Sequence, residues 1–123
     1  MSKRILVVED HEENRRILRL LLKSAHYEVL EAVTGEDGVR LAELERPDLI
    51  LMDIQLPKIS GMEAMRRIRT NPATAKTPIV AITSFALSGD DQKAKEAGAT
   101  AYLAKPYSPF DLLKLIRKLL PET

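Results

Sequence analysis

The chain has 123 residues, no cysteine, and 19 Lys and Arg against 18 Asp and Glu, a length that suits one domain over residues 1–123 and is too short for two separate modules. Near-balanced charge excludes a strong field toward nucleic acid or a membrane surface, and the missing cysteine excludes disulfides, thiolate metal sites and a cysteine nucleophile. The opening Ser2-Lys3-Arg4 precedes only four apolar residues, which is neither a signal peptide nor a membrane span, so a cytoplasmic location is expected.

The first apolar run, Ile5 to Val8, predicts a strand covered on both faces. Ile17, Leu18, Leu21, Leu22 and Ala25 then recur at helical spacing, with Arg15, Arg16, Arg19 and Lys23 expected to turn outward. His26 falls near the end of that helix. Glu28 to Ala32 predicts a weaker strand, better suited to a sheet edge, and a second helix runs from about Gly35 to Glu45 until Pro47 stops it. Leu49 to Met52 is the next fully apolar strand. A third helix occupies Met62 to Arg69 and yields to Asn71-Pro72, after which Ile79 to Thr83 supplies the remaining central strand. A helix from about Asp90 to Ala97 ends at Gly98, and Ala101 to Ala104 predicts the other edge strand. In the last helix Ser108 can cap the free amides and Pro109 suits the first helical position. Leu112, Leu113, Ile116, Leu119 and Leu120 form its apolar stripe before Pro121, and Leu115, off that stripe, is a candidate partner contact.

Strands and helices in this alternation build a doubly wound, five-stranded parallel α/β sheet with five helices, and such sheets bind ligands beyond the carboxyl ends of their strands. At those ends stand Glu9-Asp10, Asp53, Thr83-Ser84 and Lys105-Pro106. Three carboxylates at one rim raise each other's pKa unless a cation lies between them. With no cysteine or histidine cage, the donor set suits magnesium, which takes oxygen ligands and keeps water and phosphate oxygens. One lysine and the hydroxyls of Thr83 or Ser84 would then contact phosphate. Asp53 is the best nucleophile, since it stands alone after a buried strand and precedes the open turn Gln55 to Gly61. His11 reads as a solvated loop histidine beside Glu12 and Glu13, and Arg66-Arg67-Ile68-Arg69 as a solvated helix face without nucleic-acid contact.

Val8-Glu9-Asp10, Leu51-Met52-Asp53-Ile54-Gln55-Leu56-Pro57, Ser60-Gly61, Ala81-Ile82-Thr83 and Ala104-Lys105-Pro106 resemble the receiver domain of bacterial response regulators, over essentially the whole chain. The Met-Asp-Ile-Gln-Leu-Pro and Thr83-Ser84-Phe85-Ala86 runs look most like the single-domain, cell-division type related to DivK and like receivers of hybrid kinases. The resemblance implies a flavodoxin-like, CheY-like (βα)5 fold and a phosphoacceptor role for Asp53. It makes Glu9, Asp10, Asp53 and the backbone carbonyl of Gln55 the magnesium ligands, Lys105 a phosphate contact, Thr83 and Tyr102 the switch pair, and Lys105-Pro106 a cis peptide. It also implies a sensor histidine kinase or histidine phosphotransfer protein as donor, and a downstream protein reading the surface of the fourth helix, fifth strand and fifth helix. A monomer or weak dimer is expected. Glu9 in place of the more common aspartate and Ser84 in place of the more common alanine are the departures.

Two other readings use the same residues. A phosphatase of the haloacid dehalogenase kind needs a second aspartate two residues after the nucleophile as general acid, and Gln55 stands there, so turnover of small phosphates is not expected. A binding module of the same fold without phosphorylation would not need the acidic pair, Asp53, Thr83 and Lys105 together.

Overall fold

The computed structural model describes residues 2–83 and 90–120; Ser84, Phe85 and Pro121 lie outside the described residues. Among the described residues ten elements follow in strict alternation: β1 (Arg4–Val8), α1 (Glu12–Ser24), β2 (Glu28–Ala32), α2 (Gly35–Glu45), β3 (Leu49–Asp53), α3 (Gly61–Thr70), β4 (Ile79–Thr83), α4 (Asp90–Ala97), β5 (Ala101–Ala104) and α5 (Pro109–Leu119). The strands form one parallel sheet in the order β2-β1-β3-β4-β5. The three apolar runs are its centre, and β2 and β5 are its edges.

Alternate side chains of each central strand serve opposite faces, which explains why those strands are apolar at every position. Leu6, Val8, Ile50, Met52, Ile79 and Ala81 pack with Ala42 of α2, Ala64, Met65 and Ile68 of α3, and Ala94 and Ala97 of α4. Ile5, Val7, Leu49, Leu51, Val80 and Ile82 meet Leu18 and Leu22 of α1 and Leu112 and Ile116 of α5. The Leu, Ile, Val and Met side chains among these gain about 1.5–3 kcal/mol each on full burial, so a one-residue slip in register would forfeit both layers.

Helix ends follow local chemistry. Thr34, Ser60 and Ser108 accept hydrogen bonds from the amides of Asp37, Glu63 and Asp111, three residues on in each case. Pro109 opens α5, and Arg46, in the left-handed region at φ 47°, ends α2 ahead of Pro47. His26 lies beyond α1 with φ 70°. Among the described residues no helix is long and apolar enough to cross a membrane.

Four side chains depart from the periodicity. Ile17, expected inward on α1, is 57% exposed, while Arg15, expected outward, folds back toward the end of β1. Leu115 packs against the α1/α5 core, because α5 meets the sheet with an arc broader than its strictest stripe. Arg69 is no solvated cation: its guanidinium donates to the carbonyls of Thr74, Ala75 and Thr77 at 3.2, 3.1 and 2.6 Å and to Gly98 at 2.9 Å. It closes the turn after α3 and joins it to the end of α4, where Gly98 has φ 118° and a Cβ would meet Arg69 Cγ at 2.5 Å.

The topology fixes where chemistry can occur. After β1 the chain adds β2 on one side, then crosses to place β3 on the other, so β1 and β3 lie at the point where the winding reverses. Val8 pairs with Met52, and the residues that follow each emerge side by side.

Candidate functional site

Glu9 is 3% and Asp53 6% exposed, among very few buried charged groups of the described chain. Asp53 is the last residue of β3, and its Oδ1 accepts a hydrogen bond from the Gln55 amide at 3.0 Å, which fixes the carboxylate's orientation. Glu9 follows β1. Its Oε2 accepts from the His11 amide at 3.0 Å, and its Oε1 from Lys105 Nζ at 3.3 Å and Asn14 Nδ2 at 3.4 Å. Thr83, at the end of β4, is wholly buried and accepts from the Gln55 side-chain amide at 2.6 Å. Gly61 opens α3 directly over the β3 end; a Cβ there would lie 2.1 Å from the Asp53 carbonyl oxygen, so only glycine lets the helix start this close.

The carboxylates do not ionise independently. Burial and then the nearby Glu9 charge push Asp53 up to about 7, against the opposing pull of the Gln55 amide and Lys105. Burial also pushes the Glu9 carboxyl up, but the His11 amide, Lys105, Asp10 and Asp53 outweigh it and hold Glu9 below its ordinary value. The two carboxyls therefore titrate as a pair, with Asp53 the harder of the two to ionise. Burial, then Glu9 and Asp53, raise the Tyr107 phenol to about 12, so the neighbouring ring stays neutral.

The donor set fits a hard divalent cation. Ligand atoms of Glu9, Asp10 and His11 lie within 4.8 Å of one another. Asp10 Oδ1 is buried without a hydrogen-bond partner among the described residues, although His11 Nδ1 stands 3.3 Å away. An oxygen left in this state beside two more carboxylates is where a cation would lower the energy most.

The fold thus gathers Glu9, Asp10, Asp53, Thr83 and Lys105 at one rim. Gln55 joins them through both its amide and its side chain, and the Lys105–Pro106 peptide is cis. Ser84 and Phe85 lie outside the described residues. Tyr102 is half-buried against the α2/α3/α4 core. Its pKa is raised by burial and by Asp90 and Asp91, and Thr83 is close enough to pull it back slightly, yet no hydrogen bond of good geometry reaches the oxygen among the described residues. His11 is solvated, as expected from its neighbours, with its side chain 70% exposed, but its Nδ1 also lies 3.3 Å from both Glu9 Oε2 and Asp10 Oδ1.

No motif or strand end marks Asn14, Arg15 or Tyr107 as site residues. Asn14 and Arg15 lie in the first turns of α1, where side chains lean back toward the helix start and so toward the strand end; that geometry was the available clue. Beside the carboxylates, Ile17, Leu21, Tyr107 and Pro109 wall a mainly apolar cleft of about 400 Å³ that reaches Asp53 and Lys105.

The position two residues after Asp53 holds Gln55, engaged with Thr83, so the general acid that a haloacid dehalogenase-type phosphatase requires is not there. The sequence pattern of the response regulator receiver domain matches residues 5–117. The polar-differentiation response regulator DivK of Brucella anthropi is 37% identical over 120 residues, covering 98% of both chains. The receiver domain of a sensor histidine kinase from Pseudomonas aeruginosa PAO1, solved with a magnesium ion coordinated in its active site cleft, superposes with a TM-score of 0.92 at 36% identity, over 99% of this chain and 100% of that one. The chemotaxis protein CheY4 of Vibrio cholerae gives 0.91 at 30% identity, over 97% and 99%. With two acidic residues after β1, an aspartate ending β3, a hydroxyl ending β4 and a lysine after β5 on this topology, the chain belongs to the response regulator receiver domain family of two-component signalling proteins.

Proposed function

We propose that Asp53 is the phosphoacceptor and that Glu9, Asp10, Asp53 and the Gln55 backbone carbonyl hold the magnesium ion with which the reaction runs. The observation that carries this reading is Asp53 itself: a carboxylate ending a buried strand, pushed to about 7 by burial and Glu9, with Lys105 reaching the same cluster at 3.3 Å from Glu9. Magnesium, when bound, supplies positive charge that offsets the carboxylates and the equatorial phosphoryl oxygens. Asp53 acts in its ionised form, its proton released to water, and the carboxylate oxygen attacks phosphorus in line with the bond to the donor. The Asp53 O–P bond forms, the donor's N–P bond breaks, and the electron pair leaves with the imidazole nitrogen. Lys105 Nζ moves from Glu9 to a phosphoryl oxygen, and positioning with electrostatics accounts for the rate.

The phosphoryl group next recruits the Thr83 hydroxyl as a donor, which Thr83 can supply while still accepting from Gln55. Tyr102, on the neighbouring strand, follows Thr83. About 5 kcal/mol of preference turns such an equilibrium from mostly off to mostly on, within reach of several charge-assisted hydrogen bonds. The reading includes a sensor histidine kinase or histidine phosphotransfer protein as donor, for which the apolar cleft beside Asp53 is a suitable berth. It also includes a downstream protein on the α4, β5 and α5 face, action in the cytoplasm, and a monomer or weak dimer.

Incubation with phosphoramidate and magnesium, followed by intact-protein mass spectrometry, tests it. One added phosphoryl group is expected, absent in Asp53→Asn and with a chelator. An unmodified wild-type mass, or equal labelling of Asp53→Asn, contradicts it.

A further inference from the structure

Arg15 was expected to face solvent, yet its side chain is only 11% exposed. Its Nη1 donates to the carbonyl oxygens of Glu9 at 3.0 Å and Asp10 at 3.2 Å, and its own amide donates to the carbonyl of His11 at 3.0 Å. One residue in the first turns of α1 therefore holds three consecutive carbonyls of the loop that carries the acidic pair. Two carbonyls bound to one rigid guanidinium fix two successive peptide planes, and those planes set the directions in which the Glu9 and Asp10 side chains leave the backbone. Nη2 pairs with Glu12, and Nε stands 3.4 Å from Glu31 Oε1, so two carboxylates surround the guanidinium charge. A bare cation here would repel a second cation at the site; a compensated one acts through geometry instead.

We infer that Arg15 is a positioning residue for divalent-cation binding, holding the β1–α1 loop so that the Glu9 and Asp10 carboxylates converge before the ion arrives. It contacts neither the ion nor the phosphoryl group. Second-layer groups of this kind set how much ordering the ligands must undergo on binding, and their loss weakens metal affinity by about 10-fold or more. Arg19 is the internal control: it donates from Nη1 to both Glu31 oxygens at 2.9 Å, sharing the same carboxylate one turn further along α1, and among the described residues its side-chain hydrogen bonds are to that carboxylate and not to the loop.

The inference rests on the proposed magnesium reading, and the test separates the two. Magnesium chloride is titrated calorimetrically into wild type, Arg15→Gln, Arg15→Lys and Arg19→Gln, each verified as folded by circular dichroism. Arg15→Gln is expected to bind about 10-fold more weakly, Arg19→Gln like wild type, and Arg15→Lys in between, because an ammonium lacks the planar fork. Wild-type affinity in Arg15→Gln, or an equal loss in Arg19→Gln, overturns the role of Arg15 while leaving the metal site standing. Absence of binding to wild type overturns both. Should Arg15→Gln fail to fold, Arg15→Lys carries the comparison, and parity with wild type overturns the inference.

Discussion

Replacing Asp53 by Asn removes a carboxyl whose ionisation the folded metal-free protein opposes. Its pKa rises from 3.8 to about 7 on folding, so the native state retains a proton that the unfolded chain has lost. The contribution of this group to stability is complete below about pH 4, declines as pH rises toward 7, and stays lost above it. At about 1.4 kcal/mol per pKa unit the ceiling is about 4 kcal/mol. Glu9 is held below its ordinary value and returns part of that, and solvent at the rim screens more, leaving about 2 kcal/mol. Without divalent cations, Asp53→Asn should therefore match wild type near pH 4 and exceed it by about 2 kcal/mol at pH 8. Adding magnesium should reverse the order, since the variant lacks one anionic ligand and binds more weakly, while wild type gains about 2.7 kcal/mol at one hundred times its dissociation constant. Urea unfolding at pH 4, 6 and 8, with chelator and with magnesium, measures this. A gap independent of pH, or a variant no more stable than wild type at pH 8 under chelation, would refute the reasoning.

Gly61→Ala places a Cβ 2.7 Å from the Ile54 Cα as well as against the Asp53 carbonyl, and backbone cannot swing aside as a side chain can; a loss of about 1–3 kcal/mol is expected in chemical denaturation. Arg69→Met strands four backbone carbonyls between α3 and α4 and should cost about 3 kcal/mol without altering magnesium affinity, measured by the same melts and by titration. Lys105→Met removes a charge that lowers the pKa of both Asp53 and Glu9. Its pH–rate profile with phosphoramidate should shift to higher pH than wild type, and an unmoved profile would mean that Lys105 does not act on Asp53.

The strands and the rim were legible because burial on both faces demands unbroken apolar runs, and the first polar residue after each run marks where the strand leaves the core. Glu9, Asp53, Thr83 and Lys105 stand at such breaks. Helix faces were less legible. Ile17 is exposed although it falls on the apolar stripe, because α1 is rolled so that Leu18 and Leu22 point at the sheet. Arg15 and Arg69 read as surface cations, since the sequence does not disclose which carbonyls a loop leaves without a donor. His11 divides the same way: its exposure follows from neighbouring charges, but its approach to both carboxylates depends on how the β1–α1 loop turns.

The claim beneath the functional reading is that carboxylates crowded at the β1–β3 rim tolerate each other by sharing a divalent ion. Carbon-13 NMR titration of the Asp53 carboxyl, with and without magnesium, measures this directly. The account predicts a midpoint of about 7 in the metal-free protein and a displacement well below it at saturating magnesium; a midpoint that magnesium leaves in place would contradict it.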